Sequence, residues 1–176
     1  TTAADTWEFR AGIGRVFWGV AESNHLVDII NQTDLVENLD TEDKLGQPLL
    51  NLALVRDWGT LDIFVLPGFR ERTLPGKSGR LRTQPRVDTS SAQYDSPAEK
   101  QHVDFALRYG RTVGNLDFGL AHFRGTSREP RLLAIRTPSG EPVLAPRYDQ
   151  ISQTSVDALY TWPVSYTHLT LPTNRE

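Results

Sequence analysis

The most constraining feature of the chain is a two-residue alternation of apolar and polar side chains between His102 and Arg124. The apolar positions of its two arms are Val103, Phe105, Leu107 and Tyr109, then Leu116, Phe118 and Leu120. The segment Thr112–Asn115 between the arms has the composition of a turn. Because side chains of a strand point alternately to its two faces, this pattern predicts a β-hairpin with one apolar face.

The length of the hairpin leaves two interpretations open. Each arm has about nine to ten residues, which is what a tilted strand needs to cross a bilayer, whereas strands of soluble proteins average about five or six. An outer-membrane barrel would turn the apolar face to lipid and the polar or small side chains to its lumen. A soluble β-sandwich or barrel alternates in the same way, with the apolar face against its core. The hairpin alone does not separate them.

Composition excludes several classes of protein. The 176 residues carry a formal net charge of -3, which gives no reason to expect a nucleic-acid partner. Mean hydropathy is -0.42, and no run reaches the roughly 18 apolar residues of a membrane helix. Cysteine is absent, so disulfides and thiolate metal sites are excluded. Thr1–Asp5 shows no apolar signal segment, which an exported protein would need, so either the chain is a mature or internal fragment or the interpretation as an exported protein is wrong.

Six strands with unequal connections are predicted. The first begins at Trp7 and runs to about Trp18, a second and third follow from Leu50 and Leu61, the hairpin supplies two more, and Tyr148–Thr161 forms the last. The connections alternate between long and short, the long ones being 19–48, 68–101 and 125–147. The third long connection is predicted to form a small hairpin around residues 138–140. Outer-membrane barrels show this asymmetry, with short turns at one end and long loops at the other.

Aromatic residues are predicted to form two belts at the strand ends. Four lie near the short turns and four near the long connections: Trp58, Tyr109, Tyr160 and Trp162, then Phe17, Trp18, Phe69 and Phe123. Belts of this kind occur at the two interfaces of a membrane. Large aromatic side chains that cap a soluble core are the alternative.

The C-terminal segment resembles translated adapter sequence. Val164–Thr173 back-translates over ten consecutive codons into the transposon end and adjoining adapter of tagmentation sequencing libraries. We therefore divide the chain into 1–162, a partial transmembrane β-barrel, and 163–176, a non-native adapter-derived tail. A genuine polar tail is the alternative.

A family resemblance points to the same class. Gly14–Gly19 ends a strand with Trp-Gly, and Asp28 and Asn31–Asp34 follow in the loop. This pattern resembles Gram-negative outer-membrane porin-like barrels, including the alginate-export-like barrels, although Thr33 stands where those families commonly have proline. The resemblance implies a bacterial outer-membrane location, passive or selective diffusion of small solutes, and outer-membrane lipid and lipopolysaccharide as neighbours.

No sequence motif supports an enzyme, a cofactor or a metal site. His25, His102 and His122 lack metal-ligand spacing, and Gly76–Gly79 lacks the glycines of a phosphate loop. What the pattern does predict is a lining of both charges on the polar face, from Glu8, Arg10, Asp62, Asp104, Arg108 and Asp117. Such a lining selects solutes by charge and size, whereas ion pairs that merely fill the interior are the alternative.

The second long connection is strongly basic. Its cationic residues are Arg70, Arg72, Lys77, Arg80, Arg82 and Arg86. They are candidates for an inward constriction that attracts anions, for contacts with lipopolysaccharide phosphates, or for pairs with the acidic first connection. Simple solvation is the usual state of such a run.

The sequence therefore predicts an all-β fold: an antiparallel meander of about six strands, forming a curved open sheet that is part of an outer-membrane barrel. Six strands are fewer than the minimum of about eight in single-chain bacterial barrels. The predicted function is porin-like diffusion of small solutes. The alternatives are a non-transporting barrel, for adhesion or membrane integrity, and a soluble extracytoplasmic β-domain that binds a ligand through its long loops.

Overall fold

The computed structural model describes residues 6–17, 29–35, 44–76, 79 and 83–162. The first five residues, most of the first long connection, Lys77, Arg80, Arg82 and the adapter-like tail lie outside this range. In chain order the strands are β1 (Thr6–Gly14), β2 (Gln32–Thr33), β3 (Lys44–Leu45), β4 (Gln47–Arg56), β5 (Gly59–Pro67), β6 (Gln93–Tyr94), β7 (Val103–Val113), β8 (Leu116–Thr126), β9 (Arg131–Arg136), β10 (Pro142–Tyr148) and β11 (Gln150–Tyr160). The described helical segments are two single 3-10 turns, Thr89–Ser91 and Glu99–Gln101.

The six long strands form one antiparallel sheet in the order β1-β4-β5-β7-β8-β11. Each long strand pairs with the next long strand along the chain, so the sheet is a meander. The strands have 9 to 11 residues. The predicted all-β class, antiparallel meander and open sheet of six strands are confirmed, and the sheet is not closed.

The connections sort to opposite ends of this sheet. At the turn end, Asp57-Trp58 joins β4 to β5 and Gly114-Asn115 joins β7 to β8. Gly114 has a φ of 61°, a conformation that glycine adopts without steric cost. The three long connections all begin and end at the other end, the loop end, because neighbouring strands are antiparallel.

Some predicted strand bounds need correction. β4 begins at Gln47, three residues before the predicted Leu50. Tyr148 ends β10 instead of opening the last long strand, because it pairs with Tyr94 of β6 in the loop region. The hairpin predicted around residues 138–140 is confirmed as β9 and β10, which form a small sheet with β6.

One face of the large sheet is apolar and exposed. Its residues align in rows across the strands, and one row reads Trp7, Leu54, Leu61, Tyr109, Leu120 and Val156. Trp7 is 69% exposed and Val156 is 72% exposed. We call this surface the apolar face.

The opposite surface, the polar face, carries the packed core at its loop end. Phe64, Leu66 and Phe123 are buried there, and Ile30 of the first long connection packs against them. The alternation seen in the sequence therefore separates two faces as predicted, but the core lies beneath the loops, on the polar face. Among the described residues, none lies in a helix with the length and hydrophobicity that a bilayer crossing requires.

Candidate functional site

The polar face presents the predicted charged residues in one open region near the turn end. A single row across the six strands reads Glu8, Ala53, Asp62, Arg108, Ala121 and Ser155. Arg10 lies in the next row, on the same strand as Glu8, and its guanidinium binds the Glu8 carboxylate at 2.8 and 3.0 Å. The structure thus brings together Glu8, Arg10, Asp62 and Arg108, as the alternation predicts.

A second ion pair of this region joins strands that are not neighbours. Arg108 on β7 donates two hydrogen bonds, of 2.6 and 2.9 Å, to Asp157 on β11. Both side chains are largely buried. A bidentate arginine–carboxylate pair of this kind is geometrically specific. Asp157 is absent from the predicted lining, although the alternation of the last strand, with Val156 on the apolar face, would have placed it here.

Gly119 makes this ion pair possible, because β8 lies between β7 and β11. A Cβ atom at Gly119 would lie 2.7 Å from the Arg108 Cζ and 2.7 Å from the Asp157 Oδ2. The guanidinium therefore crosses β8 directly over the glycine. At Gly110, the partner of Gly119 on β7, the nearest atom to an added Cβ is 4.0 Å away.

These two opposed glycines provide a matched test. We expect Gly119→Ala to lower the free energy of unfolding by about 1–3 kcal/mol, since the added methyl displaces the ion pair. Gly110→Ala should be neutral or slightly stabilising, because alanine loses less backbone entropy than glycine in a strand. Urea titration followed by tryptophan fluorescence measures both. Equal effects of the two substitutions would contradict the assigned role of Gly119.

The open region forms a cleft that is lined by side chains of both charges. Its volume is about 560 Å³, and Glu8, Arg10, Asp62 and Arg108 are among its lining residues. A neighbouring cleft of about 430 Å³ continues to Asp117, which accepts a hydrogen bond from Thr112. The charged side chains that line these two clefts are three carboxylates and five guanidinium groups: Glu8, Asp62 and Asp117, with Arg10, Arg15, Arg56, Arg108 and Arg111.

Arg10 and Arg108 are each bound to one carboxylate. Asp62 accepts a hydrogen bond of 3.3 Å from the Asn51 amide. Among the described residues, Asp62 and Asp117 have no cationic partner in hydrogen-bonding contact, and the clefts present both signs of charge to a solute.

Asp104, the sixth predicted lining residue, lies on the polar face but does not reach the cleft. It is fully buried at the loop end. Its carboxylate accepts hydrogen bonds from Arg128 at 2.7 Å and from the Thr126 backbone N–H at 3.0 Å, and contacts the His102 Nδ1 at 2.7 Å. The side chain lies over Gly125, where a Cβ atom would overlap it. Asp104 is therefore part of an enclosed ion pair rather than of an open lining.

Arg128, which the sequence does not single out, holds the loops on the polar face. It is 5% exposed and donates to the Ile30 carbonyl at 2.8 Å and to the Thr126 carbonyl at 2.7 Å. Its guanidinium also lies 5.3 Å from the ring centroids of Phe69 and Phe123. Burial lowers the pKa of Arg128, and the Asp104 carboxylate opposes this shift.

The described arginines of the basic connection are bound to loop neighbours. Arg70 donates to the Gly46 carbonyl at 3.3 Å, and Arg72 donates to the Gln32 side chain at 3.3 Å. Arg86 forms a bidentate pair with Glu141 at 3.1 and 3.2 Å. Contact of these arginines with the first connection thus occurs through the Gly46 carbonyl and the Gln32 amide.

The predicted positions of the aromatic residues are confirmed at the turn end, but two of those at the loop end need correction. Trp58 stacks on Tyr109 with centroids 5.8 Å apart, and Tyr160 contacts Trp162 at 5.7 Å. The second predicted belt is wrong for Phe69 and Phe123, which are 6% and 1% exposed. Phe123 points to the polar face in register with Ala106, and Phe69 packs inside the loops.

Phe69 belongs to an aromatic cluster that forms the interior of the loop region. Its ring lies 4.8 Å from that of Tyr148, which stacks on Tyr94 at 5.5 Å. Burial raises the pKa of Tyr148 to about 12. Its hydroxyl accepts a hydrogen bond from the Arg72 backbone N–H at 3.1 Å. The cluster ties the second and third long connections together.

The described residues contain no group of three or more histidine, aspartate or glutamate side chains placed to hold a metal ion.

Comparison of the chain with known protein families, with curated proteins and with solved structures found no match.

Proposed function

We propose that this chain is part of a porin-like β-barrel of the bacterial outer membrane, through which small solutes diffuse. The observation that carries the proposal is the position of the apolar side chains of the large sheet. In a soluble domain such a face packs into a core, whereas a membrane barrel turns it to lipid. Here the core lies on the polar face, and Phe9, Phe105 and Leu120 on the apolar face are 57%, 54% and 48% exposed.

The apolar side chains of the apolar face form a band that crosses the rows of paired residues diagonally, and this direction also supports the proposal. On β1, β4 and β5 the band includes the row of Phe9, Leu52 and Ile63. On β8 and β11 that same row holds His122 and Thr154, and apolar residues continue instead toward the turn end, as far as Leu116 and Tyr160. Strands of a membrane barrel tilt by about 35–45°, so a horizontal lipid layer crosses the hydrogen-bonded rows diagonally.

The polar face supports a lumen that selects small solutes by charge and size. Its open clefts carry both carboxylates and guanidinium groups, in a surface that also holds small residues such as Ala53 and Ser155. Charged rings and transverse charge pairs are how barrel channels select among small solutes.

A barrel that does not transport is the second candidate. Ile30 and the enclosed Asp104–Arg128 pair cover the polar face at the loop end, where a lumen would open. The soluble ligand-binding domain is less favoured. A soluble domain would bury the apolar face of its sheet, and among the described residues nothing covers that face.

Site-specific fluorescence tests the orientation of the sheet. The chain has no cysteine, so single-cysteine variants accept one label each. For labels at residues 105, 107 and 109 in lipid vesicles, we expect quenching by brominated lipid, and for labels at 106, 108 and 110 we expect weak lipid quenching. This alternation follows from the two faces of β7.

Aqueous iodide provides the second readout of this experiment. A label at 108 that iodide quenches favours a water-filled lumen, and one that neither quencher reaches favours the non-transporting barrel. A chain that stays outside the vesicles, with no lipid quenching at 105 or 107, would overturn the membrane proposal.

A further inference from the structure

A second cleft lies on the apolar face, beside the loop end. It has a volume of about 570 Å³ and is bounded by β7, β8 and β11. Its lining residues are His102, Val103, Phe105, Arg124, Gln150, Ile151 and Ser152. The polar-face clefts described above share none of these residues.

The cleft places the positive charge of Arg124 beside apolar side chains. Arg124 is the register partner of both Phe105 and Ser152, so it stands between an aromatic and a hydroxyl side chain. Among the described residues its guanidinium has no hydrogen-bond or ion-pair partner. None of the lining residues is a carboxylate. The site therefore suits an anion with an apolar part.

Other polar groups are available beside Arg124. The His102 Nδ1 is bound to Asp104, which leaves its Nε2 as the remaining hydrogen-bonding atom. The Gln150 amide donates to Thr126 at 2.9 Å, which leaves a second amide hydrogen and the amide oxygen. Arginine binds phosphate oxygens in a bidentate manner, and neutral donors complete such sites.

The position of the cleft indicates which kind of anion it binds. Arg124 lies where the apolar band on β8 gives way to the loops, two rows beyond Leu120. Under the proposed membrane orientation this is the depth of lipid headgroups, where arginine side chains commonly lie.

We propose that this cleft binds the phosphate of a lipid headgroup, with Arg124 as the principal contact and the acyl chain along Val103 and Phe105. The inference rests on the proposed function and deepens it, because it assigns one lipid molecule to a specific place on the outer surface. The enclosed Asp104, bound to His102 on one side and to Arg128 on the other, links this cleft to the loops over the polar face.

The test is an equilibrium titration of the full chain in uncharged maltoside micelles. The probe is a short-chain phosphatidic acid, and its matched control is a diacylglycerol with the same chains and no phosphate. Native mass spectrometry counts the bound lipid. Arg124→Gln removes the charge and keeps most of the side chain's stem. Arg111→Gln is the control variant, since Arg111 is an exposed arginine at the turn end of the same strand as Phe105, paired with Phe118 and outside this cleft.

We expect saturable binding of one phosphatidic acid, weakened about tenfold by Arg124→Gln and unchanged by Arg111→Gln. The diacylglycerol should bind weakly, and inorganic phosphate should not compete. Equal weakening by both variants would show general attraction to positive charge and overturn the inference. Competition by inorganic phosphate at equal concentration would reveal a site for free anions and would also overturn it.

The lipid site and the membrane proposal fail in different experiments. Lipid quenching that alternates along β7, together with no saturable binding, would overturn the lipid site and leave the proposed function standing. Saturable binding by a chain that never enters vesicles would overturn the proposed function alone.

Discussion

Replacing Arg128 with methionine is expected to lower the free energy of unfolding by about 3–5 kcal/mol, because the Asp104 carboxylate would then be buried without its cationic partner. Asp104 is 0% exposed and Arg128 is 5% exposed, so water does not reach the vacated position readily. The substitution also removes the hydrogen bond to the Ile30 carbonyl, which fastens the first long connection to the polar face. Urea titration of the folded chain measures the change.

Two comparisons identify the buried charge as the cause. The double variant Arg128→Met with Asp104→Asn should be more stable than Arg128→Met alone, since the amide still accepts the Thr126 N–H but carries no charge. Arg131→Met should have a much smaller effect, because the Arg131–Asp149 pair lies on the surface. A double variant no more stable than the single one would show that lost contacts, not the uncompensated charge, account for the change.

Leu107→Arg is expected to cost about 2–4 kcal/mol of folding free energy in a bilayer, because under the proposed orientation it places a cation near the middle of the lipid-facing surface. Leu107 is 44% exposed on the apolar face and lies between Phe105 and Tyr109 on that side of β7. The measurement is reversible unfolding by denaturant in vesicles of uncharged lipid.

Val103→Arg supplies the matched control at another depth. Val103 is on the same face and strand, at the loop end, and is 40% exposed. Near the interface an arginine should cost only about 0–1 kcal/mol. A depth dependence distinguishes lipid from a protein neighbour, because a packed core would penalise both positions. Equal costs at 103 and 107, or none at 107, would remove Leu107 from the lipid-facing surface.

The arrangement of the loops bears on what a pore formed by this chain could pass. The first connection reaches the polar face through Ile30, and the aromatic cluster of Phe69, Tyr94 and Tyr148 joins the second and third connections above it. The buried ion pair between Asp104 and Arg128, together with exposed contacts, holds these loops on the polar face. Under the proposed function, solutes would therefore pass beside a fixed obstruction, with Glu8, Asp62 and Arg108 lining the opposite end.

The sequence by itself determined the strands and their two faces. Alternation is a local property, because each side chain's direction follows from its place along the strand. It was sufficient to predict six long strands, the short turns within 57–59 and 112–115, and the common face of Glu8, Asp62 and Arg108. It also placed Leu107 and its neighbours on a face apart from these charges.

Only the tertiary structure decided which charges meet and which are enclosed. Arg108 and Asp157 are 49 residues apart, and their contact depends on strand order, register and a glycine between them. Asp104 and Asp62 share a face and an alternation pattern. Asp104 is nevertheless enclosed with Arg128, whereas Asp62 lines an open cleft. The difference lies in where the long connections fold back, and no local pattern specifies that, because it is set by contacts between residues distant in the chain such as Ile30 and Arg128.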